Sequence, residues 1–190
     1  MEQSADGPGK EPESLARAFV TALDEGRWSD AADLVDTQTR KAFQAWCVEQ
    51  IGIAAQGLGP ESPSDTRFVA AGALMGVSTK AEAARLTSNE FVARFAEAVS
   101  PRNLDPQAGA QDASGPSRIT RQVMDTAHRS GNRATVRYRT EWWNGEVRNV
   151  SMSGIHTLHL RLTKEGWRVR DADLGGWGEG HILPPSGSRC

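Results

Sequence analysis

Five side chains in the last third of the chain could do chemistry together: Tyr138, Trp142, His156, Asp171 and Asp173. Each belongs to a run with the alternation of a β-strand, so strand parity decides which of them share a face. On the last run Trp167 and Val169 read as core-facing, and continued alternation puts Asp171 and Asp173 inward as the strand ends. A carboxylate drawn away from water holds its proton more tightly and can serve as a general base. The competing reading, a solvated strand end or a helix cap, is the favoured one. On the preceding run Leu158, Leu160 and Leu162 share a face with His156, while His159 falls on the other. A neutral imidazole at 156 could shuttle a proton or hydrogen-bond a ligand carbonyl, although a core histidine satisfied by backbone groups is the more ordinary outcome. Tyr138 and Trp142 share the face of Val136 and Thr140. Each joins a large apolar body to one polar tip, which suits a pocket for a flat ligand, with core packing the favoured alternative. Trp46, on a helical stripe, is a further aromatic candidate on the same terms.

These side chains need elements to hold them. Residues 1–13 carry Gly7, Pro8, Gly9 and Pro12 among charges and read as a disordered tail. From Glu13, Leu15, Phe19, Ala22 and Leu23 fall at helical spacing, with Gly26 placed for a left-handed cap. Ser29 is placed to cap a short helix over 30–35. Thr37 is placed to cap a longer one with Ala42, Phe43, Trp46, Cys47, Gln50, Ile51 and Ala54 on one stripe. Two capping boxes follow, Thr79 with Glu82 and Thr87 with Glu90, the second opening a helix over 89–99. The run 101–117, rich in Pro, Gly, Ala, Gln and Asp, reads as a long loop. Four strands then begin near Arg118. Ser130-Gly131-Asn132, Asn144-Gly145 and Lys164-Glu165-Gly166 mark the turns, and Ser153-Gly154 marks a bulge or bend in the third strand.

Bulk composition narrows the function classes. The 190 residues suit one domain, and Lys+Arg 22 against Asp+Glu 24 leaves a net charge of −2. No Lys/Arg cluster of the kind that coats a phosphate backbone stands out, which argues against nucleic acid. With no long apolar run and no basic-then-apolar N-terminus, no membrane partner is expected and a cytoplasmic location is. Cys47 and Cys190 read as free thiols rather than a disulfide, and the histidines and cysteines lack metal-ligand spacing, so neither a metal nor a cofactor is expected. The arginines at 137, 139, 148, 161, 168 and 170 make the outer strand faces basic, which reads as a solvated face or, less often, an interface for an acidic partner or second subunit.

The run Phe19-Val20-Thr21-Ala22-Leu23-Asp24-Glu25-Gly26-Arg27-Trp28-Ser29-Asp30-Ala31-Ala32-Asp33-Leu34-Val35, then Val136-Arg137-Tyr138-Arg139 and Gly166-Trp167-Arg168-Val169, resembles the nuclear-transport-factor-2-like superfamily. That cone-shaped fold is shared by ketosteroid isomerase, limonene epoxide hydrolase and polyketide cyclases. The resemblance covers roughly residues 14–175, leaving 176–190 as a C-terminal tail. It implies an α+β fold with N-terminal helices packed into a curved antiparallel sheet of about four strands, a deep pocket between them, and often a homodimer. A fold of this kind does not by itself imply an enzyme.

The expectation is therefore a small-molecule-binding protein with an apolar or aromatic pocket lined by Tyr138, Trp142, His156 and Trp46. One alternative is an isomerase, cyclase or hydrolase using Asp171 or Asp173 with His156 and Tyr138. The other is a dimeric protein-interaction scaffold.

Overall fold

The computed structural model describes residues 11–55, 75–77, 79–98, 118–143 and 150–172. In order they form α1 Pro12–Asp24, α2 Trp28–Asp33, α3 Thr37–Ala55, α4 Lys80–Arg85, α5 Ser88–Ala98, β1 Arg118–Ser130, β2 Arg133–Trp143, β3 Val150–Thr163 and β4 Gly166–Ala172. The fold class is α+β, with the helices N-terminal to one antiparallel sheet in the order β1-β2-β3-β4. An isolated parallel bridge between Val35 and Val169 adds a fifth rung at the β4 edge. Residues 1–10, the C-terminal tail with Cys190, the 101–117 loop and the Asn144-Gly145 turn lie outside the described residues, while Pro12 and Glu13, read from sequence as tail, open α1.

Helix α1 starts on Pro12, whose missing N–H costs nothing in a first turn. It ends in a Schellman turn: Gly26 takes φ +70°, its N–H donates to the Leu23 carbonyl, and the Arg27 N–H donates to the Ala22 carbonyl. That turn starts α2 two residues earlier than the Ser29 cap implies, because the Arg27 carbonyl already accepts from the Ala31 N–H at 3.0 Å. The chain then leaves the helix to reach the sheet. Val169 donates to the Leu34 carbonyl at 2.9 Å, and the Asp36 N–H donates to the Val169 carbonyl at 2.7 Å. The Asp36 carboxylate caps α3 by accepting from the N–H groups of Gln38 and Thr39, at 3.1 and 3.3 Å. Asp36, not Thr37, is thus the cap, since only it is also held by the β4 edge. Both capping boxes form as read, the N–H of Glu82 donating to Thr79 and that of Glu90 to Thr87, each at 3.2 Å.

Both sheet edges are covered. Leu34–Asp36 seals β4, and two α1 carboxylates take outward N–H groups of β1: Asp24 accepts from Arg121 at 2.9 Å and Glu13 from Thr126 at 3.1 Å. Unpaired edge groups would otherwise invite pairing with another chain.

The core fills the inner sheet face. Val136, Leu158, Leu160, Trp167 and Val169 point inward and are buried against Leu15 and Phe19 of α1. Behind them, Phe43 of α3 packs edge-on against Phe95 and Phe91 of α5, at ring separations of 5.0 and 6.2 Å. Four residues sit outside the pairing register, Met124 and Ala127 in β1, Ser151 in β3 and Arg170 in β4, and each bends its strand. The third-strand irregularity therefore falls at Ser151 and not at Ser153-Gly154, which stays in register opposite Thr140.

Candidate functional site

The register gathers polar residues at one end of the inner face. Thr140 of β2 stands opposite Arg121 of β1 and Gly154 of β3; in the next row Tyr138 stands opposite Val123 and His156. Directly opposed residues keep their Cβ atoms about 5 Å apart, so these rows form one surface. Its centre is almost free of water, Tyr138 being 1% exposed, Thr140 2% and the Arg121 side chain 4%, while His156 and Gly154 are half-buried.

Three contacts define its geometry. The Tyr138 and His156 rings stack at 5.3 Å between centroids with 29° between planes. The Arg121 guanidinium pairs with the Asp24 carboxylate of α1, which also accepts the Arg121 backbone N–H. The Thr140 hydroxyl and the Arg121 Nε–H, both buried, have no hydrogen-bond partner among the described residues. An orphaned buried polar group costs about 1–3 kcal/mol, and here two stand on facing residues. Among the described residues two other buried groups share that state, Arg40 Nε on α3 and Trp167 Nε1 on β4. The guanidinium of Arg129 sits 5.4 Å over the Trp167 ring.

Gly154 makes the ring stack possible. A Cβ at this position would lie 2.8 Å from His156 Nε2 and 3.4 Å from Cε1, so the imidazole lies back over the space that any other residue would fill. What looks from sequence like a bulge glycine is a clearance glycine.

The remaining candidates are dispersed. Trp46, half-buried, belongs to the helical aromatic cluster, its ring 6.5 Å from Phe43. Trp142 takes the strand position opposite Ile119 and Met152, on the row beyond Thr140, and its side chain lies outside the described residues. Parity fails for Asp171: with Arg170 out of register, Asp171 pairs with His159 and Ala172 with Leu158, so the inward row passes to Ala172. The strand alternation gives no support to an inward Asp171, and Asp173 lies outside the described residues. His159 is exposed, on the face opposite Leu158 and Leu160. Leu162, grouped by parity with them, is 41% exposed at the sheet's end.

Cys47 is buried, and burial pushes its thiol well above the ordinary value of 9.0. It is a small core hydrophobe, as its helical position suggests. Among the described residues no three His, Cys, Asp or Glu side chains cluster as a metal would require, and no helix is long and apolar enough to cross a membrane. A groove of about 520 Å³ opens on the helical side, where Trp28 meets Ala93 and Arg94. At its rim Arg27 is held by Glu25 at 2.7 Å and Asp30 at 2.5 Å. The groove lies away from the polar rows of the sheet.

The sequence points to Tyr138 and His156, but Arg121, Asp24, Thr140 and Gly154 are missed. Asp24 and Arg121 stand 97 residues apart, and only the β1 register brings them together. A threonine sharing the parity of Val136 and Tyr138 was the one available signal.

Set against known proteins, the chain matches no family model, no curated protein and no solved structure. Its class rests on the architecture: an α+β protein whose sheet is filled at one end and polar at the other.

Proposed function

We propose that this is a small-molecule-binding protein of the nuclear-transport-factor-2-like kind, with its ligand at the polar end of the inner sheet face. The observation that carries this reading is the pair of buried, unpartnered groups on facing residues, Thr140 Oγ1 and Arg121 Nε. Natural cores satisfy nearly all such groups, and a bound acceptor would satisfy both.

The same geometry narrows the ligand. Asp24 already compensates the charge of Arg121, so the site calls for a neutral acceptor such as a carbonyl or phenol oxygen rather than a carboxylate. The stacked Tyr138 and His156 rings offer a flat wall that suits an aromatic or enone body. Binding and orientation are the whole of this reading, and no general base is assigned.

The test is a thermal-shift screen of the full chain against chromone, flavone and 2-naphthol, with benzoate as the charged comparison. Stabilisation by the neutral compounds that Thr140→Val abolishes supports the site. Equal stabilisation of wild type and Thr140→Val, or preference for benzoate, contradicts it.

A further inference from the structure

On the outer face the register lines up three arginines in one row. Arg133 of β2 stands opposite Arg161 of β3, and Arg161 stands opposite Arg168 of β4. All three alternate with inward residues, Ala134, Leu160, Trp167 and Val169, so they share the outer side. Like charges directly opposed in a sheet destabilise it; here Arg133 is exposed and Arg161 and Arg168 are half-buried.

Among the described residues little offsets this charge. Arg161 Nη1 donates to the neutral amide oxygen of Gln38 at 3.2 Å. Arg168 donates to the Trp167 carbonyl at 2.9 Å and to Glu165 at 3.2 Å, a carboxylate whose side chain is itself 79% exposed. Arg133 is exposed and takes no partner among the described residues, and exposed Lys164 in the adjoining turn adds a further positive charge. The neighbouring row is Thr135, His159 and Asp171. Beyond it Arg137 is neutralised by Asp125 at 2.5 Å, which interrupts the line of charge before Arg139, so the row does not continue as the track a nucleic acid backbone needs.

We propose that the Arg133–Arg161–Arg168 row is a binding site for the diphosphate group of a soluble small molecule. Guanidinium forks match phosphate oxygens bidentately. The outer two arginines are two strand spacings apart, about 9.5 Å at the backbone, a width that two linked phosphates fill better than one. The anion would also relieve the repulsion built into the row.

The experiment measures the melting temperature of the full chain against pyrophosphate, with ionic strength held by sodium chloride, beside phosphate and sulfate. A saturable rise with pyrophosphate that exceeds both is expected. Arg161→Gln should weaken that response about tenfold or more, the factor for one charge-assisted contact, while melting no lower than wild type in low salt because the central repulsion is gone. Arg133→Gln, at an exposed position, provides the same test should Arg161→Gln fail to fold. Arg139→Gln, an outer-face arginine opposite Gln122 and Ile155, should leave the response intact. The proposal is overturned if sodium chloride alone reproduces the rise, if the row variants keep it, or if Arg139→Gln loses it equally. Binding to phosphatidylserine vesicles that pyrophosphate does not displace would also overturn it, in favour of a membrane surface.

Discussion

The two ends of the inner sheet face both bury side chains and are differently finished. At one end Val136, Leu158, Leu160, Trp167 and Val169 meet Leu15 and Phe19 of α1 in an apolar core. At the other, Arg121, Thr140 and Tyr138 are withdrawn from water beside a half-buried His156, and an indifferent core would carry Val or Leu there. Among the described residues the apolar end has one orphan, Trp167 Nε1, on a ring with an arginine over it. The polar end has two, on residues that face each other. One sheet thus serves as scaffold and as receptor, and the difference lies in which hydrogen bonds are left unmade.

The comparison breaks most visibly at the apolar end. Trp167→Ala should cost about 3–5 kcal/mol of unfolding free energy, read as a lower denaturant midpoint. A loss below about 1 kcal/mol would mean that this end is not the structural one. Next comes Asp24→Ala, which leaves the 4% exposed Arg121 side chain as an uncompensated buried charge and frees a β1 edge N–H. About 3 kcal/mol should go, with Asp24→Asn recovering part through the backbone contact.

Thr140→Val sharpens the contrast because its sign is opposite. Removing an unpartnered hydroxyl from a dry site should leave stability unchanged or raise it by up to about 1 kcal/mol, while ligand-dependent stabilisation disappears. Gly154→Ala should be smaller still. The strand gains from a better backbone residue roughly what it loses in moving the His156 ring, so stability should stay within about 0.5 kcal/mol. The change should show instead as an altered ring environment at Tyr138, the single tyrosine of the chain.

The smallest expected effect is with pH. Glu90 is held below its ordinary value of 4.5 by the N–H and hydroxyl of Thr87, and Asp125 below 3.8 by its hydrogen bond to Arg137. Depressed carboxyls favour the fold while ionised, so their help is complete above about pH 5 and is withdrawn as pH falls through and below those ordinary values. Both carboxylates reach solvent, which screens them, so the acid-side loss in Thr87→Ala or Arg137→Gln should differ only slightly from wild type in a pH-resolved melting series. A steeper wild-type loss on the alkaline side of pH 5 would contradict this.

Local signals were legible. The capping boxes at Thr79–Glu82 and Thr87–Glu90 need only three residues' separation, and the glycine turns at Gly131 and Gly166 need only two residues between strands. The inward sets on β2, β3 and the start of β4 follow from alternation alone. Signals that depend on pairing were not legible. One residue out of register, Arg170, moves Asp171 from the expected inward row to the row of His159. The Asp24–Arg121 contact and the three-arginine row exist only once strands far apart in sequence have chosen their register. Gly154 is ambiguous in sequence because a bulge and a clearance look alike until the neighbouring ring is placed.

The most direct test of the receptor end is the ring signal of Tyr138 in protein carrying ¹³C-tyrosine, followed while chromone is titrated into wild type and Thr140→Val. The account predicts a saturable shift in wild type and none in the folded variant. A Tyr138 signal that stays fixed in wild type while chromone binds elsewhere, or that shifts alike in both proteins, would make the polar end part of the scaffold.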